Sequence, residues 1–369
     1  MDTGLRARPY RDDKLPFPKF EKPTALGFFS VTAERDYEPT ARNLRYYKAP
    51  KSFPFDLNIG GEVISKPDSF FDERSKHLLT FICEHKEELK SAAQTTKPGI
   101  AAEFVCFRGF LRQLMCTPYE FRQDWCLHVT KYMDTFYLCK HDSEYDKFQR
   151  SNETDEQKKM TAWGFKFEQH CLLGNTKLNA PVEECLEFYC VFKTKVNNME
   201  ILYGAEMDGI ISAQPVDDNS NNLQNLKFVE LKVRQGDLNA RQQQSYNRYK
   251  TRNWWCQSFL VGIKDLYVGI RTDKGLVKKI EHVDVRTLPK QGLVTCANFL
   301  KQFLTVFKEV VAIENCPYTV YEFYFNPNTS RVTYECLKGK TEHSFLPDWY
   351  ITMPKVFSLL QLKLRFTCS

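Results

Sequence analysis

Two short stretches of the chain put acidic and basic side chains at the spacing of one β-strand face. Met199 to Ser212 reads MEILYGAEMDGIIS and Leu226 to Arg234 reads LKFVELKVR, with the polar, turn-forming DDNSNNLQN between them. Alternation along a strand places Glu206 and Asp208 on one face of the first stretch, and Glu230 and Lys232 on one face of the second. Those faces also carry Leu202, Ile210, Leu226 and Phe228, while Val229, Leu231 and Val233 form the opposite face of the second. Both faces read as buried, as in a central strand, and the two stretches read as an adjacent pair, most simply a hairpin.

Three carboxylates and one ammonium in that setting cost on the order of several kcal/mol each unless they are paired or metal-bound. Carboxylates from adjacent strands can converge on a hard divalent cation. A lysine two residues after a metal-binding Glu can then touch the attacking water or the scissile phosphate, the logic of metal-assisted phosphodiester hydrolysis. The same E-x-D and E-x-K pattern also fits a cross-strand ion pair on an exposed sheet face.

Three more residues bear on that choice. Glu168 in WGFKFE can supply a further carboxylate from a helix. Gln257 lies in a basic, helix-compatible run, RQQQSYNRYKTRNWWCQSFLVG, which sets an amide beside cations and beside Trp254 and Trp255. Arg108 in FRG is a guanidinium inside an apolar stretch, suited to a bidentate phosphate contact. Singly these are a helix-surface acid, a capping amide and a snorkelling arginine. Together they make a phosphate-and-metal site.

The elements that must hold these residues are legible in outline. A helix is expected over Asp72 to Ala92, where Leu78, Leu79, Ile82 and Cys83 fall on one stripe, and another opens near Gly164, carrying Phe167, Glu168 and Cys171. Phe104 to Leu114 is apolar and interrupted at Arg108 and Gly109. Lys140 to Met160 is highly charged and reads as a surface loop. The first fifty residues, rich in proline and aromatics, read as an extended arm lying on a core. No internal repeat is visible, and nothing between Ala101 and Gly275 looks like a boundary. One domain spanning residues 1–369 with a mixed α/β core is expected, a central twisted mixed sheet with flanking helices.

Composition excludes several classes. At 369 residues, with 42% hydrophobic and 14% aromatic residues, the chain has ample material for a core and is no disordered polymer. No charge-free apolar run approaches the length of a membrane span, and MDTGLRARPYRDDKLPFPKF lacks a signal-peptide core, so neither secretion nor a membrane partner is expected. The 13 cysteines are odd in number and form no C-x-x-C pair, which fits reduced thiols in an intracellular protein. Twelve basic and four acidic residues between Asn225 and Ile280 give that segment +8 against +6 for the whole chain. So concentrated a surplus beside aromatics suggests a polyanionic partner; a solvated helix face with spare lysines is the plainer reading.

The order FRG, GFKFE, GAEMDG, FVELKV and WWCQSFLVG resembles the DXO family of RNA decapping enzymes and 5′–3′ exonucleases, within the wider PD-(D/E)XK nuclease-like fold class. The resemblance runs from FFSVTAERDY and LRYY through CTPYE to HSFLPDWY. It implies that Glu168, Glu206, Asp208 and Glu230, with the Leu231 carbonyl, bind one or two Mg²⁺ or Mn²⁺ ions. It implies that Lys232 and Gln257 position the scissile phosphate and the water. Arg108, flanked by Phe107 and Gly109, would hold the RNA 5′ region, with Arg35, Glu73 and Cys190 as further substrate contacts. Phe107 stands where the family commonly has Trp. Every expected acidic position is filled, which argues against a catalytically dead relative.

The reactions so implied act on RNA 5′ ends: release of incomplete caps, removal of NAD caps, pyrophosphate release from 5′-triphosphates, and degradation onward. Two other readings accompany this one. Some members of the family bind and stabilise a separate 5′–3′ exoribonuclease, so an adaptor is one alternative, and a DNA nuclease of the same fold class is the other. A nuclear location is expected, with the cytoplasm as alternative, although LVKKI is too short to be a nuclear signal.

Overall fold

The computed structural model describes residues 1–8, 15–60, 62–67, 69–90, 99–173, 178, 180–218, 223–311 and 314–352. The mixed α/β expectation holds, with two large mixed sheets where one was expected. Among the described residues ten strands make the first, in the order Asp2–Arg6, Arg331–Leu337, Val320–Asn326, Trp125–Tyr132, Thr135–His141, Phe104–Phe107, Met199–Glu206, Glu187–Val196, Thr24–Val31 and Tyr37–Glu38. Seven make the second: Leu172–Leu173, Tyr46–Tyr47, Gly209–Ile211, Lys227–Gln235, Asp265–Arg271, Leu276–Asp284 and Phe55–Asp56.

The main core lies between the ten-stranded sheet and the helices Arg108–Cys116, Thr251–Phe259 and Leu293–Val311. Helix Leu293–Val311 shows why: Leu293, Cys296, Leu300, Phe303, Leu304, Phe307 and Val311 recur at helical spacing and all are buried. Each such phenylalanine contributes about 2–3 kcal/mol by leaving water, and truncating Phe303 to alanine would cost about 3–5 kcal/mol. A second apolar cluster on the sheet includes Leu78, Leu79, Phe81 and Ile82 of helix Lys76–Glu84. Helix Asp155–Cys171 covers the seven-stranded sheet through Trp163, Phe167 and Cys171.

Several boundaries differ from expectation. The Asp72 to Ala92 helix is two helices, Phe70–Glu73 and Lys76–Glu84, with residues 91 and 92 outside the described ones. Lys140 to Met160 is no loop: it contains helix Glu144–Ser151 and the first turns of helix Asp155–Cys171. Both open on capping boxes, Ser143 with Asp146 and Thr154 with Gln157, which satisfy the first free N–H groups of helices whose exposed faces are largely charged, Phe148 and Met160 apart. Arg108 and Gly109 interrupt Phe104 to Leu114 because a strand ends and a helix begins there. The first fifty residues are woven into the fold, not laid upon it: Thr24–Val31 pairs with Glu187–Val196 on one side and Tyr37–Glu38 on the other.

Asn239 caps the helical run that carries Gln257. That run extends from Ala240 to Phe259 and widens at Tyr246–Lys250, where the Thr251 N–H donates to the Tyr246 carbonyl five residues back.

Candidate active site

Met199 to Ser212 does not run as one strand. Met199–Glu206 belongs to the ten-stranded sheet, antiparallel to Glu187–Val196 and parallel to Phe104–Phe107. The chain then crosses at Met207 and Asp208, and Gly209–Ile211 joins the seven-stranded sheet, antiparallel to Lys227–Gln235 with Gly209 opposite Val229. The expected hairpin survives only in those last three residues, so Glu206 and Asp208 do not lie on a single strand. Glycine at 209 permits the crossing, because a Cβ there would come within 2.8 Å of the Arg45 carbonyl and of the Leu172 side chain. Asp208 is fixed at the crossing by the Leu231 N–H, which donates to its Oδ2 at 2.7 Å.

Glu230 is the hub. Its Oε1 accepts from Lys232 Nζ at 2.5 Å and from Gln257 Nε2 at 2.6 Å. Arg108 Nη1 lies 3.4 Å from its Oε2. Arg108 is itself buried, and its Nη2 donates to the Glu206 carbonyl at 2.8 Å, so one guanidinium ties the two acid-bearing strands together. Glu168, Glu206 and Asp208 line one small cavity with Arg45, whose Nη1 is 3.4 Å from Glu168 Oε2. The structure therefore gathers Glu168, Glu206, Asp208, Glu230, Lys232, Gln257 and Arg108 into one neighbourhood.

Crowding of like charge marks this site electrostatically. Burial, then Asp208 and Glu206, raises the Glu168 carboxyl well above the usual range against the pull of Arg45. Burial and Glu187 push Glu206 up to about 7, and burial and Glu230 push Asp208 up to about 6. Glu206 nonetheless stands open to solvent, so water moderates the effect of its surroundings. Glu230 alone goes the other way: burial would raise it, but Lys232 and Arg108 hold it below the ordinary value. Four crowded carboxyl groups whose like charges a cation would offset make a donor set suited to a hard divalent ion. Among the described residues, no three of the four carboxylates bring oxygens within 4.8 Å of one another, as mutual repulsion would dictate.

The residues expected around the substrate separate into groups. Arg35 and Glu73 meet in a two-pronged ion pair, with Nε and Nη2 each 2.9 Å from a Glu73 oxygen, and Arg35 Nη1 also reaches Glu187 at 2.6 Å. Lys66 Nζ holds the other Glu187 oxygen at 2.5 Å, and Glu187 is two residues before Tyr189, the cross-strand partner of Glu206. Arg35 and Glu73 thus adjoin the acidic site through Glu187. Phe107 packs over Gly204 and against Tyr189, with ring centroids 5.6 Å apart, and Gly109 lies in the first turn of its helix with open space beside it. Cys190 stands apart from these. Strand alternation turns its side chain into the main core, 0% exposed, and it does not line the cavity.

Sequence reasoning passed over Arg45, Lys66 and Glu187. Glu187 carried a signal, a lone acid in the apolar run LEFYCVF, of the kind that singled out Arg108. Nothing local distinguishes Lys66.

Lys232 and Gln257 also line a second, larger cavity of about 800 Å³. Its wall includes Arg112, Arg122, Lys250, Tyr249 and Trp254, cationic and aromatic groups facing one space. Part of the basic segment from Asn225 to Ile280 therefore opens onto the acidic site. Other members of that segment are paired instead, as Arg234 and Lys279 are with Glu281.

Comparison with known proteins accords with this geometry. The model of the family described as RAI1 like PD-(D/E)XK nuclease matches residues 21–351. The chain is 36% identical over 376 residues to the decapping and exoribonuclease protein Rai1 of Drosophila melanogaster, covering 97% of this chain and 99% of that protein. Rai1 of Scheffersomyces stipitis, solved with (3′-NADP)⁺ and calcium, superposes with a TM-score of 0.77 at 19% identity, over 92% of this chain and 97% of that one. Rai1 of Candida albicans, solved with pU5 and Mn²⁺, gives 0.76 at 19% identity, over 96% and 98%.

Proposed function

The chain belongs to the RAI1 like PD-(D/E)XK nuclease family, and on that premise we propose that it is a divalent-cation-dependent hydrolase of RNA 5′ ends. It removes incomplete caps, NAD caps or 5′-triphosphates and degrades the RNA onward from that end. One observation carries the reading: Lys232 and Gln257 stand between the four-carboxylate cluster and a cationic, aromatic cavity large enough for several nucleotides.

Glu168, Glu206, Asp208 and Glu230 would hold the cation, with the Leu231 carbonyl beside them. When bound, it would neutralise charge on the phosphate and ease the ionisation of water. The all-oxygen donor set suits Mg²⁺ and Mn²⁺ alike. Lys232 and Gln257 donate to the scissile phosphate once it displaces them from Glu230, and Lys232 meets charge as it builds in the transition state. Arg108 keeps Glu206 and Glu230 at fixed separation. Hydroxide from water adds to phosphorus, and the departing oxygen takes a proton. The larger cavity guides the strand, its cations meeting phosphates and Tyr249 stacking on exposed bases.

Product analysis tests this. RNA 5′-labelled as monophosphate, triphosphate, unmethylated cap or NAD cap is incubated with the protein and Mn²⁺ or Mg²⁺. Metal-dependent release of the end group, abolished in the Glu206→Ala, Asp208→Ala double variant, is expected. RNA bound but unchanged in every case would overturn catalysis and leave an adaptor for a separate exoribonuclease.

A further inference from the structure

Outside the acidic site, three of the chain's seven histidines meet, drawn from three separate parts of the sequence. His128 lies on Trp125–Tyr132, His141 ends Thr135–His141, and His343 follows the last strand, Arg331–Leu337. One ring nitrogen of each comes within 4.8 Å of those of the other two. Antiparallel pairing sets Cys126 opposite His141, and Glu322 pairs with His128 from the neighbouring strand on the other side. Cys126, His128 and Glu322 form a second set of donor atoms mutually within 4.8 Å. His128 Nε2 is 2.9 Å from Glu322 Oε2. None of these five side chains lines the cavities described above.

Imidazoles joined by a thiol and one carboxylate differ in kind from the all-oxygen catalytic set. They suit a borderline transition cation such as Zn²⁺ and not Mg²⁺. A ligating histidine characteristically gives its other ring N–H to a carboxylate, and Glu322 stands where it can do this for His128. His128 and His141 stack, centroids 4.3 Å apart and planes 17° apart, while His343 lies edge-on to both. Zinc–nitrogen bonds of about 2.0–2.1 Å require nitrogens about 3.4 Å apart, so closing the set takes movements on the order of 1 Å and a turn of one ring. His141 and His343 are only partly buried, one at a strand end and one in a turn-rich segment, and have room to make it. The positive charge of Arg74 opposes a cation here, but its guanidinium is committed to the carbonyls of Glu342 and His343, and Glu322 offsets it.

We propose that His128, His141 and His343, buttressed by Glu322 and with Cys126 beside His128 as a further donor, form a second metal site, specific for a zinc-class cation. Such a site would fasten the segment holding His343 to the ten-stranded sheet. Phe345, Leu346, Tyr350 and Ile351 of that segment already pack in the cluster that includes helix Lys76–Glu84.

The experiment uses the full chain with Glu206→Ala and Asp208→Ala, which removes the oxygen site, and titrates Zn²⁺ calorimetrically in the presence of excess Mg²⁺. One equivalent of zinc is expected, with Co²⁺ giving the visible absorption of a four-coordinate nitrogen-rich centre. Adding His343→Ala, or His141→Ala in a separate chain, should weaken zinc by at least about tenfold. Both residues are partly exposed, so an unchanged melting temperature without zinc verifies folding. No zinc uptake by the starting variant would overturn the proposal, as would equal uptake after either histidine is removed.

Discussion

Lys232 Nζ and Glu230 Oε1 are 2.5 Å apart, two residues along one strand, so the ammonium proposed to meet the phosphate rests on a carboxylate of the proposed metal-binding set. Replacing Lys232 with methionine removes a charge needed most in the transition state. Single-turnover hydrolysis should fall about 10²–10³-fold, while RNA affinity, read by filter binding, changes little. Gln257→Ala removes a neutral donor and should cost about tenfold. Unchanged turnover in Lys232→Met would remove Lys232 from the reaction.

Glu206 provides a test on stability alone. Its carboxyl sits near 7 against an ordinary 4.5, so the folded chain holds this proton more tightly than the unfolded chain. Without added cation, stability is therefore lost as pH rises through about 7. Glu206→Gln should melt with the parent at pH 4.5 and above it at pH 8. The full shift would be worth about 3 kcal/mol in a dry site, and water at this exposed carboxylate reduces the expected gain to about 1 kcal/mol. Mn²⁺ should stabilise the parent more than the variant.

The same protons compete with the metal. Asp208 near 6 and Glu206 near 7 must both ionise for full coordination. Lowering the pH from 8 to 6 should weaken Mn²⁺ at least about tenfold by calorimetry, with proton release on binding greatest near neutrality.

Arg35 has a structural task whatever its part in substrate binding. Arg35→Ala takes from Glu73 its two-pronged partner and leaves Glu187, whose side chain is 1% exposed, to Lys66 and Tyr189. Breaking a buried pair from one side costs about 3–5 kcal/mol when the other charge is left alone, so with Lys66 still on Glu187 a loss nearer the lower figure is expected by urea denaturation. Lysine at 35 cannot make the two-pronged contact with Glu73 and should recover only part of the loss.

Tyr249 and Lys250 test the large cavity. Tyr249→Ala should weaken single-stranded RNA by about 1–3 kcal/mol with little preference for sequence. Lys250→Ala should lower the slope of log affinity against log salt by about 0.7. Turnover at saturating RNA should be nearly unchanged in both.

Most of the acidic site was legible because its chemistry is local. E-x-D, E-x-K and the helix-borne Glu168 are readable as charges where apolar residues are due, and the ordered motifs identified their company. What the sequence hid is tertiary. The strand break at Met207 depends on what lies beside Gly209, namely the Arg45 carbonyl and Leu172, and alternation alone cannot reveal that. The side-chain direction of Cys190 was hidden for a related reason. Its neighbour Tyr189 faces the Glu187 network, and the opposite face is core. Helix Glu144–Ser151 and the first turns of helix Asp155–Cys171 announce themselves only through their caps, since no buried apolar residue falls there.

The widened turn at Tyr246–Lys250 sets the phase of everything after it. A regular helix over the same span would need one residue fewer, and each residue turns the helix by about 100°. Without that widening, the same number of residues wound as a regular helix from Ala240–Ser245 would swing Gln257 off Glu230 without altering either side chain. The aim of that amide is thus written in the extra residue taken up several turns upstream, and a further insertion there is a change to the active site.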